Sequence, residues 1–266
     1  MNMVKIIKNT TQHFIHHQGV QFASSLSYTS LLSVVPITML LFFISLQTDY
    51  FSHVYIAIEH QFLESFLPAK REEIEIYLLQ LAENSSSFSY LGYIILLVSA
   101  IWLSLGIERT INHLWHVKTP RRLLLRVPAH IVLWVLGPIL IMLSISLSTW
   151  ITSQHYLSGF TKEISFALKL LPLFISSTAL FLLYFFVPNT QVRFKYALSS
   201  GFAAGLLFEL SKWLFTIYIT QYALYEKLYG ALATLPIFML WIFITWIVVL
   251  WGVSLSVTLQ KQGQST

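Results

Sequence analysis

The chain contains no cysteine, which excludes disulfides, thiolate metal sites, iron–sulfur clusters and a cysteine nucleophile. Charge is almost as scarce: Asp, Glu, Lys and Arg make up 10% of the 266 residues, against 56% hydrophobic. A soluble domain of this length needs a much larger polar fraction to cover its surface. No glycine-rich loop of the Walker type occurs, which removes that route to ATP, and there is no G-x-S-x-G turn or credible Ser-His-acid set. Histidines stand at 13, 16 and 17 and again at 113 and 116. They lack the accompanying acidic residues of a catalytic metal site and read as polar interfacial side chains. No catalytic residue, metal ligand or cofactor is therefore expected, and enzyme activity has little support.

What is present is apolar sequence in long runs. The mean hydropathy of +0.70 and an aromatic content of 15%, with 8 Trp and 13 Tyr, suit a chain whose solvent is lipid and whose aromatic rings favour the headgroup level. A spanning helix takes about 20 apolar residues to cross about 30 Å of hydrocarbon. Six stretches qualify: 25–46, 90–107, 127–150, 166–187, 196–220 and 231–257. The runs are continuous and do not alternate with period two, so they read as helices and not as barrel strands. The expected fold is all-α, a polytopic membrane helix bundle forming a single integral membrane domain over residues 1–266.

Basic residues set the expected orientation. Lys5 and Lys8 precede the first span; Arg109, Lys118, Arg121, Arg122 and Arg126 follow the second; Arg193 and Lys195 follow the fourth; Lys261 follows the sixth. The alternate loops hold only Lys70 and Arg71, Lys162, and Lys227, while Glu59, Glu64, Glu72, Glu73, Glu75 and Glu83 crowd the first of them. Both termini are thus expected on the cytoplasmic side of the membrane. The net charge of +5 is explained by these loops and gives no reason to expect nucleic acid. Residues 1–24, broken by Lys8, Asn9, Gln12 and histidines, read as a cytoplasmic amphipathic segment and not as a cleavable signal. In the outer loop 47–89, Val54, Ile58, Phe62 and Phe66, then Ile74, Tyr77, Leu78 and Leu81, recur at helical spacing on either side of Pro68. Two short amphipathic helices are expected there, as a lid or as a substrate contact.

A charge at the centre of a spanning helix costs roughly 2.5–3.5 kcal/mol on insertion scales, so it marks a partner or a cavity. The fifth span carries two, Glu209 and Lys212, spaced to pair on one helix face. Ala197, Gly201 and Gly205 recur every four residues and lead into Glu209, a small-residue stripe that admits a second helix closely. Two readings stand: a polar group lining a pathway, or a self-neutralised pair that locks two helices. Pro36, Pro138 and Pro236 fall within spans and are expected to kink or loosen them, which suits a bundle with a cavity or a rocking motion. The loop from Glu108 and Arg109 through Asn112 and Trp115 to Arg121 and Arg122 interleaves cations with Leu and Trp. It reads as a topology determinant or as a cytoplasmic rim against anionic headgroups.

Several of these segments resemble one family. Residues 23–38, ASSLSYTSLLSVVPIT, resemble the first span of the YihY/BrkB family of bacterial inner-membrane proteins. Residues 108–115, ERTINHLW, match its acidic-x-x-x-Asn-x-x-Trp pattern at Glu108, Asn112 and Trp115. The longest stretch, 187–259, includes Val187-Pro188, Gly201, Phe208-Glu209 with Lys212, Tyr229-Gly230, Pro236, Trp241 and Gly252. The resemblance covers nearly the whole chain. Two positions depart: members often carry Asn where Ser25 stands and Glu where Ser254 stands, so any role of that second carboxylate falls to Glu209 or is different here. The resemblance implies a role at the cell envelope. Some members carry the name ribonuclease BN, an activity that requires a metal cluster, and none is visible in the sequence.

These readings leave a leading function and two alternatives. The first is movement of an amphiphilic, lipid-like substrate in envelope biogenesis. The second is a non-transporting envelope scaffold whose outer loop binds a partner, and the third is a nuclease or other enzyme. The partners expected are membrane lipids, together with a second copy or an envelope protein packed on the Gly201–Gly205 stripe or the outer loop.

Overall fold

The structure, a computed structural model, describes residues 3–47, 90–117, 140, 162–221 and 234–264. Six helices run through them: α1 (Met3–His16), α2 (Gly19–Gln47), α3 (Tyr90–Leu114), α4 (Lys162–Phe186), α5 (Phe194–Gln221) and α6 (Thr234–Gln262). Secondary structure among the described residues is entirely helical. At 1.5 Å per residue, α2 to α6 are each about 37–44 Å long, enough to cross a bilayer. Over Phe194–Ile219 and Pro236–Gln262 the helix is both long and apolar enough to span on its own, and Leu170–Phe186 gives a shorter apolar core to α4. The expected third span at 127–150, with Pro138, lies outside the described residues except for residue 140. The two amphipathic helices of 47–89, and Arg121 and Arg122, lie outside them too.

Five expected spans correspond to α2–α6, with shifted ends. The largest shift is in α3, which continues to Leu114 instead of stopping near residue 107. Glu108 to Leu114 is therefore the last two turns of a helix, and not the loop expected from hydropathy. Ile107, Ile111 and Leu114 recur at helical spacing and are all buried, so packing holds the helix beyond the point where the apolar run ends.

One proline corrects the expectation. Pro236 is the third residue of α6, in a first turn whose N–H groups have no intrahelical acceptor, so its ring removes no bond and kinks nothing. The helix α2 runs on through the position of Pro36. A proline does lie in the interior of α4, at Pro172, within a span where the sequence reading had placed none.

The chain divides into two compact units. The first is Met1–Leu26, Ser104–Gln221 and Phe243–Thr266; the second is Ser27–Leu103 and Tyr222–Ile242. In the second, Tyr28, Leu32, Ile94, Val98, Ile101 and Trp102 are exposed, and the Ser33 hydroxyl donates to the Thr29 carbonyl at 2.8 Å. Outward apolar side chains and polar side chains returned to their own backbone are what a lipid solvent selects.

The first unit is built on an α4–α5 hairpin. A Cβ on Gly201 would stand 2.8 Å from the Phe181 Cα, and one on Gly205 would stand 3.0 Å from the Ser177 Cα. Four residues forward on α5 match four residues back on α4, so the helices are antiparallel and in backbone contact along the small-residue stripe. Ala197, Ser200 and Ala204 are buried on that side, while Phe194, Leu198, Phe202, Leu206, Leu210 and Leu214 form an exposed apolar ridge. Small residues inside and large apolar ones outside reverse the soluble pattern. On α6, Gly252 does for Tyr184 what the stripe does for α4. The Tyr184 hydroxyl donates to the Val249 carbonyl at 2.9 Å, and a Cβ at 252 would strike that hydroxyl and come within 2.7 Å of the Ala204 Cβ.

Candidate functional site

Glu209 lies about 22 Å from one end of α5 and about 18 Å from the other, close to the middle of a spanning helix. Its Oε1 accepts a hydrogen bond from Ser176 Oγ of α4 at 2.6 Å and pairs with Lys212 Nζ at 2.9 Å. The ammonium also stands 5.4 Å from the Phe208 ring centroid, a weak cation–π contact. The expected pairing of Glu209 with Lys212 is present, and Ser176 adds a tie to the neighbouring helix. Ser176 was missed in the sequence reading, although two adjacent serines amid an apolar span, Ser176 and Ser177, are a usable signal of polar contact.

The pair is not sealed. The Lys212 and Glu209 side chains keep 14% and 23% of their surface exposed. On the helical wheel Glu209 falls between Gly205 of the packed stripe and Trp213 of the outer ridge, each about 40° away. Trp213 is 61% exposed. The site is therefore a carboxylate and an ammonium at the edge between a packed helix face and a lipid-facing one. It can offer an anion to an amine and a cation to a phosphate without dismantling the helix pair.

A second polar cluster holds the α4–α5 connection, where the backbone leaves helical geometry and its polar groups need partners. Asn112 Oδ1 on α3 accepts the Asn189 N–H at 2.7 Å, and Asn189 Nδ2 donates to Glu108 Oε1 at 3.4 Å. From α6, Gln260 Oε1 accepts the Arg193 N–H at 2.9 Å, while its Nε2 donates to the Gln191 carbonyl at 2.9 Å. Pro188 is fully buried between these anchors. Of the expected rim residues, Glu108 and Asn112 thus face inward and brace the turn. Arg109 is exposed and Trp115 partly so. Gln260 and Asn189 carried no signal in sequence, because their value lies in meeting a backbone distant in the chain.

A third grouping was not expected. The end of α1 and the end of α3 bring His13, His17 and His116 together, with one ring nitrogen of each within 4.8 Å of the others. Burial, then the fields of His17 and Lys261, push His13 down to about 4. Burial first, then the field of His116, lowers His17 from the usual histidine value, and burial, then Lys261 and His113, lowers His116. All three are neutral imidazoles at physiological pH. In sequence the histidines at 13, 16 and 17 and those at 113 and 116 are separate interfacial groups, since nothing local links them.

At the other position, Ser254 is fully buried, so a carboxylate there would be buried as well. Ser25 is exposed on α2.

An all-helical chain with several membrane-length helices, small residues inside, large apolar residues outside and polar side chains tied to backbone is a polytopic α-helical membrane protein. It belongs to the family described as Virulence factor BrkB, whose model matches residues 10–266. Similar proteins are named UPF0761 membrane protein. That of Azotobacter vinelandii is 35% identical over 250 residues, covering 93% of this chain and 61% of that protein. The Vibrio atlanticus protein is 34% identical over 244 residues, with 91% and 78% covered. The Cronobacter sakazakii protein is 35% identical over 237 residues, with 89% and 82% covered. The chain thus spans less than two thirds of the Azotobacter protein's length. No solved structure matches the chain.

Proposed function

We propose that this protein translocates an amphiphilic, lipid-like substrate in the bacterial inner membrane, as one integral domain with both termini in the cytoplasm. The observation that carries the reading is the partly exposed Glu209–Lys212 pair at mid-helix, beside the exposed Trp213. An isolated headgroup meets a barrier at the bilayer centre for the same reason a charged side chain does. A helix edge bearing one anion and one cation offers it replacement contacts there, while the acyl chains stay in lipid against the ridge of α5. The substrate's own gradient, an ion gradient or a partner would supply the direction. Enzymatic chemistry is not part of this reading: the polar groups at the site are a carboxylate, an amine and a serine hydroxyl already engaged with the carboxylate.

The test is lipid scrambling in proteoliposomes. Fluorescent lipid on the inner leaflet should become accessible to an external quencher in the presence of wild-type protein, and much more slowly with Glu209→Gln. Equal rates for wild type, Glu209→Gln and empty vesicles would rule this function out for the lipids tested.

A further inference from the structure

His13 and His17 are four residues apart at the end of α1, and the His17 N–H donates to the His13 carbonyl at 3.1 Å. Helical register therefore carries through His17 and stacks the two imidazoles on one face. His116 comes in from just past α3. Ring centroids are 4.4 Å apart for His13–His17, 4.3 Å for His17–His116 and 5.7 Å for His13–His116.

One feature beyond proximity points to a ligand, and a second fixes the third imidazole in place. Both ring nitrogens of His13 are buried without a hydrogen-bond partner among the described residues, and an imidazole so placed needs something to coordinate or donate to. His116 adopts a left-handed backbone, φ 57°. It closes α3 in a Schellman motif, with Val117 N–H donating to the Asn112 carbonyl at 2.9 Å and His116 N–H to the His113 carbonyl at 3.0 Å. That position ordinarily takes glycine, and histidine is among the few other side chains that tolerate it, so the cap fixes where the His116 imidazole is presented.

We propose that His13, His17 and His116 form a binding site for a divalent d-block metal ion, with Zn2+ as its representative, joining the end of α1 to the end of α3. Three imidazole nitrogens favour Zn, Cu, Ni or Co over Mg or Ca, which take oxygen. They leave a fourth tetrahedral position for water. Tetrahedral ligation at about 2.0–2.1 Å sets ligand atoms about 3.4 Å apart. The trio must contract modestly, which rotation of the more accessible His17 and His116 rings can provide. The neutral imidazoles described above are in the form that binds metal. Lys261 is the cation whose field reaches all three rings, and it is exposed, where solvent screens it.

The experiment is zinc titration of the full-length protein, purified without a polyhistidine tag and stripped with chelator, followed by calorimetry and metal analysis. Wild type should bind one equivalent per chain. His17→Ala and His116→Gly should each weaken binding at least about tenfold, the lower end for disturbing a metal site, while His16→Ala should bind like wild type. His116→Gly is the decisive variant, because glycine suits the left-handed position and the fold is retained or improved while the ligand is lost. Zinc should also raise the thermal midpoint of wild type and leave that of His116→Gly unmoved. Absence of stoichiometric binding by wild type, or undiminished binding by His116→Gly, overturns the site. Loss in His16→Ala equal to that in His17→Ala also overturns it, by placing the metal on the adjacent 16–17 pair.

Discussion

The close packing of Gly252 on Tyr184 in the first unit can be tested by a double-mutant cycle at the two positions. The Tyr184 side chain is fully buried, and its hydroxyl reaches the Val249 carbonyl at 2.9 Å through the gap left by the absent Cβ of Gly252. Tyr184→Phe removes one buried hydrogen bond, a loss of about 0.5–1.5 kcal/mol. Gly252→Ala drives a methyl into the hydroxyl and to 2.7 Å from the Ala204 Cβ. Overpacking of this kind costs about 1–3 kcal/mol, and displacing the hydroxyl forfeits its hydrogen bond as well. In the double mutant that bond is already gone, so it is counted once and not twice. The two changes should fall short of additivity by about 1 kcal/mol, since residues in contact couple on that scale. Equilibrium unfolding of the four proteins in mixed micelles, read by tryptophan fluorescence, gives the coupling directly. Additivity within about 0.3 kcal/mol would refute the idea that the hydroxyl occupies the space of the missing Cβ.

Other predictions follow from the same contacts. Gln260→Ala removes both bonds to the 191–193 backbone and should cost about 1–3 kcal/mol; Gln260→Glu keeps the acceptor for Arg193 but sets a buried carboxylate oxygen against the Gln191 carbonyl, so it should cost at least as much, and thermal midpoints of the purified variants rank them. Gly205→Leu should force α4 and α5 apart and abolish monodisperse protein on size-exclusion chromatography, because the site already lacks room for one methyl. Lys212→Met alone should destabilise by about 1–3 kcal/mol, below the roughly 3–5 expected for a sealed pair, because both side chains are partly exposed. Neutralising both partners should restore most of that stability in the same unfolding assay, as replacement of a buried pair often does.

Much of the fold was legible because lipid imposes one strong rule, a long apolar run per crossing, and α2 to α6 all obey it. Helix ends were less legible. Hydropathy falls at Glu108, yet Ile111 and Leu114 bury the next turns of α3, and only tertiary contact reveals that. The stripe Ala197, Gly201, Gly205 was readable, since small residues at four-residue spacing have one physical use in a spanning helix. The partner face on α4, Ser177 and Phe181, was less so, because the serines at 176 and 177 mark a polar contact without marking which side meets glycine. Glu209 and Lys212 were conspicuous by charge and Ser176 only by context. Gln260, Asn189 and the meeting of His13 and His17 with His116 depend on segments far apart in sequence. Composition could not pair them, and the family resemblance did not single them out.

The central claim, that the polar edge of α5 carries an amphiphile across the membrane, is tested most directly by separating that role from helix locking. Scrambling would be measured in proteoliposomes of wild type and of the doubly neutralised Glu209→Gln/Lys212→Met protein, which retains a hydrogen-bond acceptor for Ser176 and removes both charges. The doubly neutralised protein should be stable and monodisperse, with lipid movement at the level of empty vesicles. Wild-type scrambling in that same stable variant would contradict the claim and leave the pair as a helix lock.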